Sequence, residues 1–203
     1  MITAATVYGW FRDLIKERRV SDPKVIYVSE AANCLRKAYY DRVSPAPKLD
    51  IVNVVATLGN GIHYQLQDLL KGKGWRAEVE VKYQTKKITL IGHADLVSPE
   101  GEVIEIKTCN QVPGKPWTNH VLQLNAYLTM LKASKGYIIY VARDGKVRVF
   151  DIKPRKDLFD RLIKRAYYLH YCLIEKREPR PEKGPLCDYC PYRWRCFHGG
   201  EKK

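Results

Sequence analysis

Acidic residues are scarce. The chain of 203 residues carries 36 Lys and Arg against 22 Asp and Glu, a formal net charge of +14. That imbalance says nothing about fold, but it favours polyanionic partners over acidic ones. Long apolar runs are also missing. The longest stretch free of Lys, Arg, Asp and Glu is residues 51–67, and it contains Asn53, Gly59, Asn60, Gly61 and Gln65, a poor membrane span. The opening Met1-Ile2-Thr3-Ala4-Ala5 lacks a basic segment followed by an apolar run, so no secretory signal is visible. A soluble cytoplasmic protein with no membrane partner is expected. Gly59-Asn60-Gly61 lacks the third glycine of a dinucleotide fingerprint, and no Walker motif occurs. Neither repeats nor low-complexity tracts are present.

What remains is ordinary globular material: 45% hydrophobic and 29% charged residues. A chain of this length buries roughly 70% of its unfolded surface, enough for one domain with a true core. There are six cysteines. In a reducing compartment that number suggests metal ligation before disulfides.

Hydrophobic periodicity predicts a helix over residues 3 to about 18, with Val7, Trp10, Phe11, Leu14 and Ile15 on one side. A second helix, capped by Ser29, runs to about residue 42 and includes Cys34. Ser44-Pro45-Ala46-Pro47 breaks the chain, and Asp50 caps a long helix ending near Gly72. Its apolar positions Val54, Val55, Leu58, Ile62, Leu66 and Leu69 follow the helical period. Three strands are predicted over residues 75–83, 87–97 and 102–107, with a turn at Ser98-Pro99-Glu100-Gly101. A helix over 118–132, a hairpin of 137–142 with 147–152 across Asp144-Gly145, and a helix over 154–176 follow. A Pro-rich segment, 178–185, leads into a cysteine-rich tail. Both ends are too small to fold alone and are expected to pack together.

The middle carries the chemistry. Glu105 and Lys107 alternate on one strand and share a face. Asp95, in Gly92-His93-Ala94-Asp95, ends the preceding strand, and the hairpin brings it toward Glu105. Two carboxylates and an amine would then converge, which suits phosphodiester hydrolysis: hard oxygens hold Mg²⁺ or Mn²⁺, and the ion activates water and offsets charge on phosphate. The competing interpretation of a lone Glu-x-Lys is a solvated ion pair worth under about 1 kcal/mol. Gly59 and His63, four apart, share a helix face. The glycine would allow close backbone approach, and His63 is a candidate metal ligand or a satisfied buried histidine. Gln123 and Tyr127, also four apart, read either as plain helix surface or as a polar pair in the groove.

Gly59-x-x-x-His63, Gly92-His93-Ala94-Asp95, Glu105-Ile106-Lys107 and Gln123-x-x-x-Tyr127 occur in the order found in RecB-type PD-(D/E)xK nucleases, which this sequence resembles. Ala94 stands where the family name has proline. The resemblance implies an α/β restriction-endonuclease-like core, with a mixed central sheet flanked by helices. It implies metal ligation by His63, Asp95, Glu105 and the Ile106 carbonyl, with Asp95, Glu105 and Lys107 as the catalytic set. Gln123 and Tyr127 would support substrate binding.

Cys187, Cys190 and Cys196 follow the spacing C-x2-C-x5-C. Thiolates bind zinc or iron–sulfur clusters, and by residue type the fourth ligand is open among Cys34, Cys109 and Cys172. A lone distant cysteine plus three clustered ones resembles the CRISPR-associated Cas-four exonucleases nearly end to end. That resemblance implies a cluster on Cys34, Cys187, Cys190 and Cys196, four-iron by default, with a two-iron cluster or zinc left open. Such a clip closes a long loop, where a crosslink stabilises most. Residues 50–153 would form the nuclease core of one 1–203 domain, and 1–49 with 154–203 a helical cap. Implied too are single-stranded DNA ends as substrate, prespacer processing, and the Cas-one and Cas-two integrase as partners. A vestigial DNA-binding module and a cluster-based redox protein are the rival classes. In the tail, Tyr189, Tyr192, Arg193, Trp194 and Arg195 could stack unpaired bases or merely cover the cluster. Arg155, Lys156, Arg161, Lys164 and Arg165 make a second basic run.

Overall fold

A computed structural model describes residues 2–15, 20–46 and 50–197. The predicted end of the first helix and Pro47 lie outside the described residues. In order, the elements are α1 (Ala4–Leu14), β1 (Val25–Tyr27), α2 (Val28–Ala32), α3 (Leu35–Val43), α4 (Asp50–Lys71), β2 (Arg76–Gln84), β3 (Thr89–Val97), β4 (Val103–Cys109), α5 (Thr118–Leu131), β5 (Gly136–Ala142), β6 (Val147–Ile152), α6 (Lys156–Ile174), a 3-10 turn (Pro185–Tyr189) and α7 (Arg193–Phe197).

The six strands form one mixed sheet in which β2 runs antiparallel along β3. On the other edge of β3, parallel β1 pairs only with residues 89–91. Antiparallel β4 pairs there only at Leu96↔Ile104 and Val97↔Val103. Residues 92–95 of β3 therefore face a notch between β1 and β4. Beyond it β4 and β5 run parallel across the α5 crossover, and β5 and β6 close a hairpin. Gly145 turns that hairpin at φ 83°, in the left-handed region open to glycine.

Both faces of the sheet are covered. One carries the main core, where Leu90, Ile138, Leu124, Leu128, Leu162 and Leu169 are fully buried between the strands, α5 and α6. On the other, Leu96, Ile104 and Ile106 form a smaller core against Leu66 and Leu70 of α4. Burying both faces makes near-continuous apolar strands, as β3 and β4 are.

Several local expectations change. The predicted second helix is two helices, and Cys34 sits at the break, preceding α3 rather than lying inside a helix. Asn33 is extended there, its side chain bonded to Ser29 O at 2.8 Å and to Asn119 at 2.7 Å. Ser29 lies inside α2; Glu30 instead accepts the Tyr27 N–H at 2.8 Å. Asp50 is the first residue of α4 and pairs with Arg12 of α1 at 2.6 Å. The apolar positions of α4 do not all turn inward: Leu58 and Leu69 are exposed, whereas Asn53, Gly59 and Gln67 are buried. The row 59–63–67 faces the sheet because it builds a polar site. A further miss is β1, three residues long, too short to show alternation.

The two ends do pack together. Arg165 of α6 donates to Ala31 O at 2.6 Å and Asn33 O at 2.5 Å, and forks onto Glu182 at 2.6 and 3.0 Å. Glu182 in turn accepts the Leu35 N–H, and Arg36 pairs with Glu178. Tyr192, 1% exposed, donates to Asp41 at 2.9 Å and accepts the Ala46 N–H at 3.0 Å. Among the described residues no helix is long and apolar enough to cross a membrane.

Candidate active site

The notch in β3 gives the site its shape. Where β3 and β4 part, the Asp95 carboxylate fills the gap, and its Oδ2 accepts the Ile106 N–H at 2.7 Å. The Asp95 carbonyl accepts from Gln67 at 3.3 Å, and the Gln67 amide also reaches Glu78 at 2.9 Å. His63 of α4 points its Nδ1 at Asp95 Oδ2, 3.6 Å away. Gly59, one turn earlier, lets α4 come this close: a Cβ there would stand 2.8 Å from Thr108 Oγ1.

Glu105 is 1% exposed. Its Oε1 accepts from Lys107 Nζ and from Gln123 Nε2, each at 2.7 Å. Among the described residues, its Oε2 is buried without a hydrogen-bond partner. Gln123 also accepts from Lys107 at 3.3 Å and donates to the Tyr127 hydroxyl at 3.1 Å. The Tyr127 ring lies over Gly92, where a Cβ would come within 2.5 Å of it. Gln123 and Tyr127 are thus a buried brace behind Glu105 and Lys107 rather than an exposed groove wall.

The electrostatics follow from this crowding. Burial pushes the Glu105 carboxyl above its usual range; the Lys107 ammonium pulls it back and the Asp95 charge raises it again. Burial alone would lower Lys107, but the charges of Glu105 and Asp95 outweigh it and hold the amine protonated. Burial likewise lowers His63, and the hydrogen bond and charge of Asp95 more than restore it. The Tyr127 hydroxyl is raised by burial and by Glu105. All seven residues singled out in the middle of the chain, His63, Asp95, Glu105, Ile106, Lys107, Gln123 and Tyr127, meet here. Gln67 was missed, although it continues the 59–63 spacing by one more turn. His120 was missed as well, although it precedes Gln123 by three on the same helix.

A second gathering lies where the two ends of the chain pack together. Burial raises the Cys196 thiol, with added repulsion from Cys34, Cys190 and Cys187; Cys190 is raised by burial and by Cys34 and Cys187. Cys187 Sγ accepts the Gly184 N–H at 3.4 Å. Cys109 instead lies beside the Val141 carbonyl, and Cys172 is buried in the main core. Of the tail aromatics Tyr192 is buried, while Tyr189 and Trp194 are exposed. In the second basic run, Arg165 is structural, and Arg155 and Lys156 pair with Asp157 and Asp160. Among the described residues, no three His, Cys, Asp or Glu side chains are drawn in around one point at metal-ligand spacing.

The sequence profile of the PD-(D/E)XK nuclease superfamily matches residues 62–197. The chain is 33% identical over 151 residues to the CRISPR-associated exonuclease Cas4 of Saccharolobus solfataricus, covering 68% of this chain and 73% of that protein. It belongs to the Cas4 exonucleases of the PD-(D/E)XK superfamily. The crystal structure of SSO0001 is similar at 27% identity and a TM-score of 0.68, covering 94% of this chain and 91% of that one. An alkaline exonuclease from Laribacter hongkongensis shares the fold at 12% identity and a TM-score of 0.56, covering 83% and 93%. As a Cas4 protein the chain is a nuclease, and its charge of +14 suits DNA.

Proposed function

We propose that this Cas4 protein is a metal-dependent exonuclease acting in the cytoplasm on single-stranded DNA ends, and that it trims prespacers beside the Cas-one and Cas-two integrase. The observation that carries the metal reading is Glu105 Oε2, buried without a partner beside the charge of Asp95. An orphaned carboxylate oxygen in such surroundings is costly, and a divalent cation would offset that cost. The donors fit Mg²⁺ or Mn²⁺: carboxylates of Asp95 and Glu105, the Ile106 carbonyl and a His63 ring nitrogen. Bound there, the ion supplies Lewis acidity, activating water and offsetting charge on the phosphate.

The remaining steps belong to the chain. Lys107 uses two of its three N–H donors on Glu105 and Gln123, leaving one to meet a water or a phosphate oxygen. Gln123 and Tyr127 hold that geometry from behind and so support substrate binding through Glu105 and Lys107. The Asp95 carboxylate is fixed by the Ile106 N–H and cannot rotate without breaking that bond.

We assign an iron–sulfur cluster, four-iron by default, to Cys34, Cys187, Cys190 and Cys196. In support, these four thiols feel one another's charge, and the Gly184 N–H is a donor of the kind that steadies a thiolate. Arg36 and Lys37 sit near Cys196 and Cys190, where their charges favour thiolates. In this reading 1–49 and 154–203 form a cap on the 50–153 core. The test is a gel assay with end-labelled single-stranded DNA, with Mn²⁺ and with chelator. Cutting from ends that needs the ion is expected; cutting undiminished in chelator would overturn the metal assignment.

A further inference from the structure

Beyond the carboxylates and lysine, one polar line on α5 continues outward. His120, Gln123 and Tyr127 lie at i, i+3 and i+7, on one helix face. Tyr127 is 2% exposed and Gln123 7%, His120 is half-buried, and Trp117, just before the helix, is 39% exposed. The row therefore climbs from the closed end of the site to its mouth.

Its outer end is rigidly assembled. The Tyr140 hydroxyl accepts the Trp117 N–H at 3.1 Å and stands 2.8 Å from His120 Nδ1. Among the described residues, Nδ1 is the one acceptor placed for the hydroxyl hydrogen. Tyr140 therefore donates to Nδ1, and the imidazole carries its own proton on Nε2. Burial and then the charge of Lys107 hold His120 neutral, its pKa lowered to about 3. Among the described residues Nε2 has no protein partner, and it is not among the buried unpaired atoms, which there are only Arg36 Nε and Glu105 Oε2. It is thus a fixed neutral donor open to solvent. The Trp117 ring packs against His120 at 5.1 Å and edge-on to Tyr140 at 5.7 Å. Tyr140 is the register partner of Lys107 on the neighbouring strand, so this cluster adjoins the proposed scissile position.

We propose that Trp117 and His120 form a nucleotide subsite at the mouth of the site, taking one unpaired nucleotide with its base on the Trp117 ring and a phosphate oxygen on His120 Nε2–H. The proposal rests on the nuclease reading above. A half-exposed indole braced from one side is a stacking platform for any base. A neutral donor suits a phosphate beside the one attacked, since it adds no charge to compete with Lys107. A base held in a duplex has its faces stacked already, so the subsite selects unpaired ends.

The experiment uses the full chain with divalent ions chelated, so that no strand is cut, and follows tryptophan emission against a ten-nucleotide oligo(dT). The quench due to Trp117 is the part absent from Trp117→Leu. The Kd of that variant is expected to rise about 5- to 30-fold, the loss of one stacked base. Affinity for a blunt duplex, dominated by phosphate contacts, should move by less than about twofold. With Mn²⁺ present, His120→Phe, which keeps the ring but loses the donor, should lower kcat/KM on single strands about tenfold, and His120→Gln, which restores a donor, only about threefold. If Trp117→Leu melts early, Trp117→Phe replaces it, with the quench as the readout. Wild-type binding and cutting with unchanged values in the Trp117 and His120 variants would overturn the subsite and leave the nuclease reading standing. A wild-type chain that neither binds nor cuts DNA would overturn both.

Discussion

The carboxylate–lysine centre and the cysteines near the packed chain ends both draw residues from distant parts of the chain, yet they are held in opposite ways. In the centre, the functional side chains hold one another: Lys107 bonds Glu105, Gln123 bonds both, and Asp95 bonds the Ile106 amide. Near the chain ends, the thiols make few bonds, and other residues hold the elements that carry them, through Arg165–Glu182, Arg36–Glu178 and Tyr192–Asp41. A site whose members satisfy one another can lose one function and keep its shape. A site held from outside depends on what its scaffold and any bound group supply.

The sharpest way to break that comparison is at the centre. Asp95→Asn or Glu105→Gln keeps volume but removes a hard anionic ligand, and cutting should fall about a thousandfold or more in a gel assay. Lys107→Met should cost roughly a hundredfold. In the metal-free protein its loss does not strand a charge, because Glu105, already raised by burial, takes up a proton there. Circular dichroism should therefore show an unchanged melt, and spectroscopy an unchanged brown colour from the proposed cluster. Either carboxamide variant cutting like wild type would sink the assignment of the site, and a collapsed Lys107→Met would sink the claim that the centre holds its own shape.

The cap should behave the other way round. Cys34→Ala is expected to bleach the proposed cluster and lower the melt by many degrees, with activity lost only as a consequence, because three thiolates hold a cluster poorly. Cys109→Ala and Cys172→Ala should keep full iron, and Cys172→Ala alone should lose some stability through its buried volume. Iron and sulfide counts on anaerobic protein decide the matter. Full iron in Cys34→Ala beside loss in either of the others would reverse the ligand set.

Legibility in the sequence differed between the two regions for physical reasons. The centre was readable because period-two and period-four spacing put Glu105 with Lys107, Gly59 with His63 and Gln123 with Tyr127 on shared faces before any tertiary contact is known. The later strands were readable for the same reason; the hairpin of β5 and β6 starts and ends within a residue of expectation. Residues that act across elements stayed hidden. Tyr140 reaches His120 only because β4 and β5 set it beside Lys107, and nothing in its own strand marks it. The notch in β3 was equally invisible, since it arises from two strands that each pair briefly. The break at Asn33 and Cys34 was lost because Arg165, 132 residues later, caps the carbonyl of Asn33.

The smallest test asks whether the scaffold alone gathers the ends. The Tyr192 hydroxyl bridges Asp41 and the Ala46 amide across 151 and 146 residues of chain, and its ring packs on Tyr40 at 5.1 Å. Tyr192→Phe keeps the ring and removes both bonds. Asp41 retains Lys37 as a partner at 2.5 Å, so only the Ala46 amide is left poorly satisfied. The cost should be about 1 kcal/mol, read as a melt lowered by about 2–4 °C for a domain of this size. Iron content and cutting should not change, since the bond Cys190 takes from Tyr192 comes from the backbone, which phenylalanine keeps, and the hydroxyl lies on Asp41 and Ala46 instead. If the cap were held by its cluster alone, the melt would not move. If iron fell with the hydroxyl, the contacts around Tyr192 would be part of the cluster site itself rather than its support.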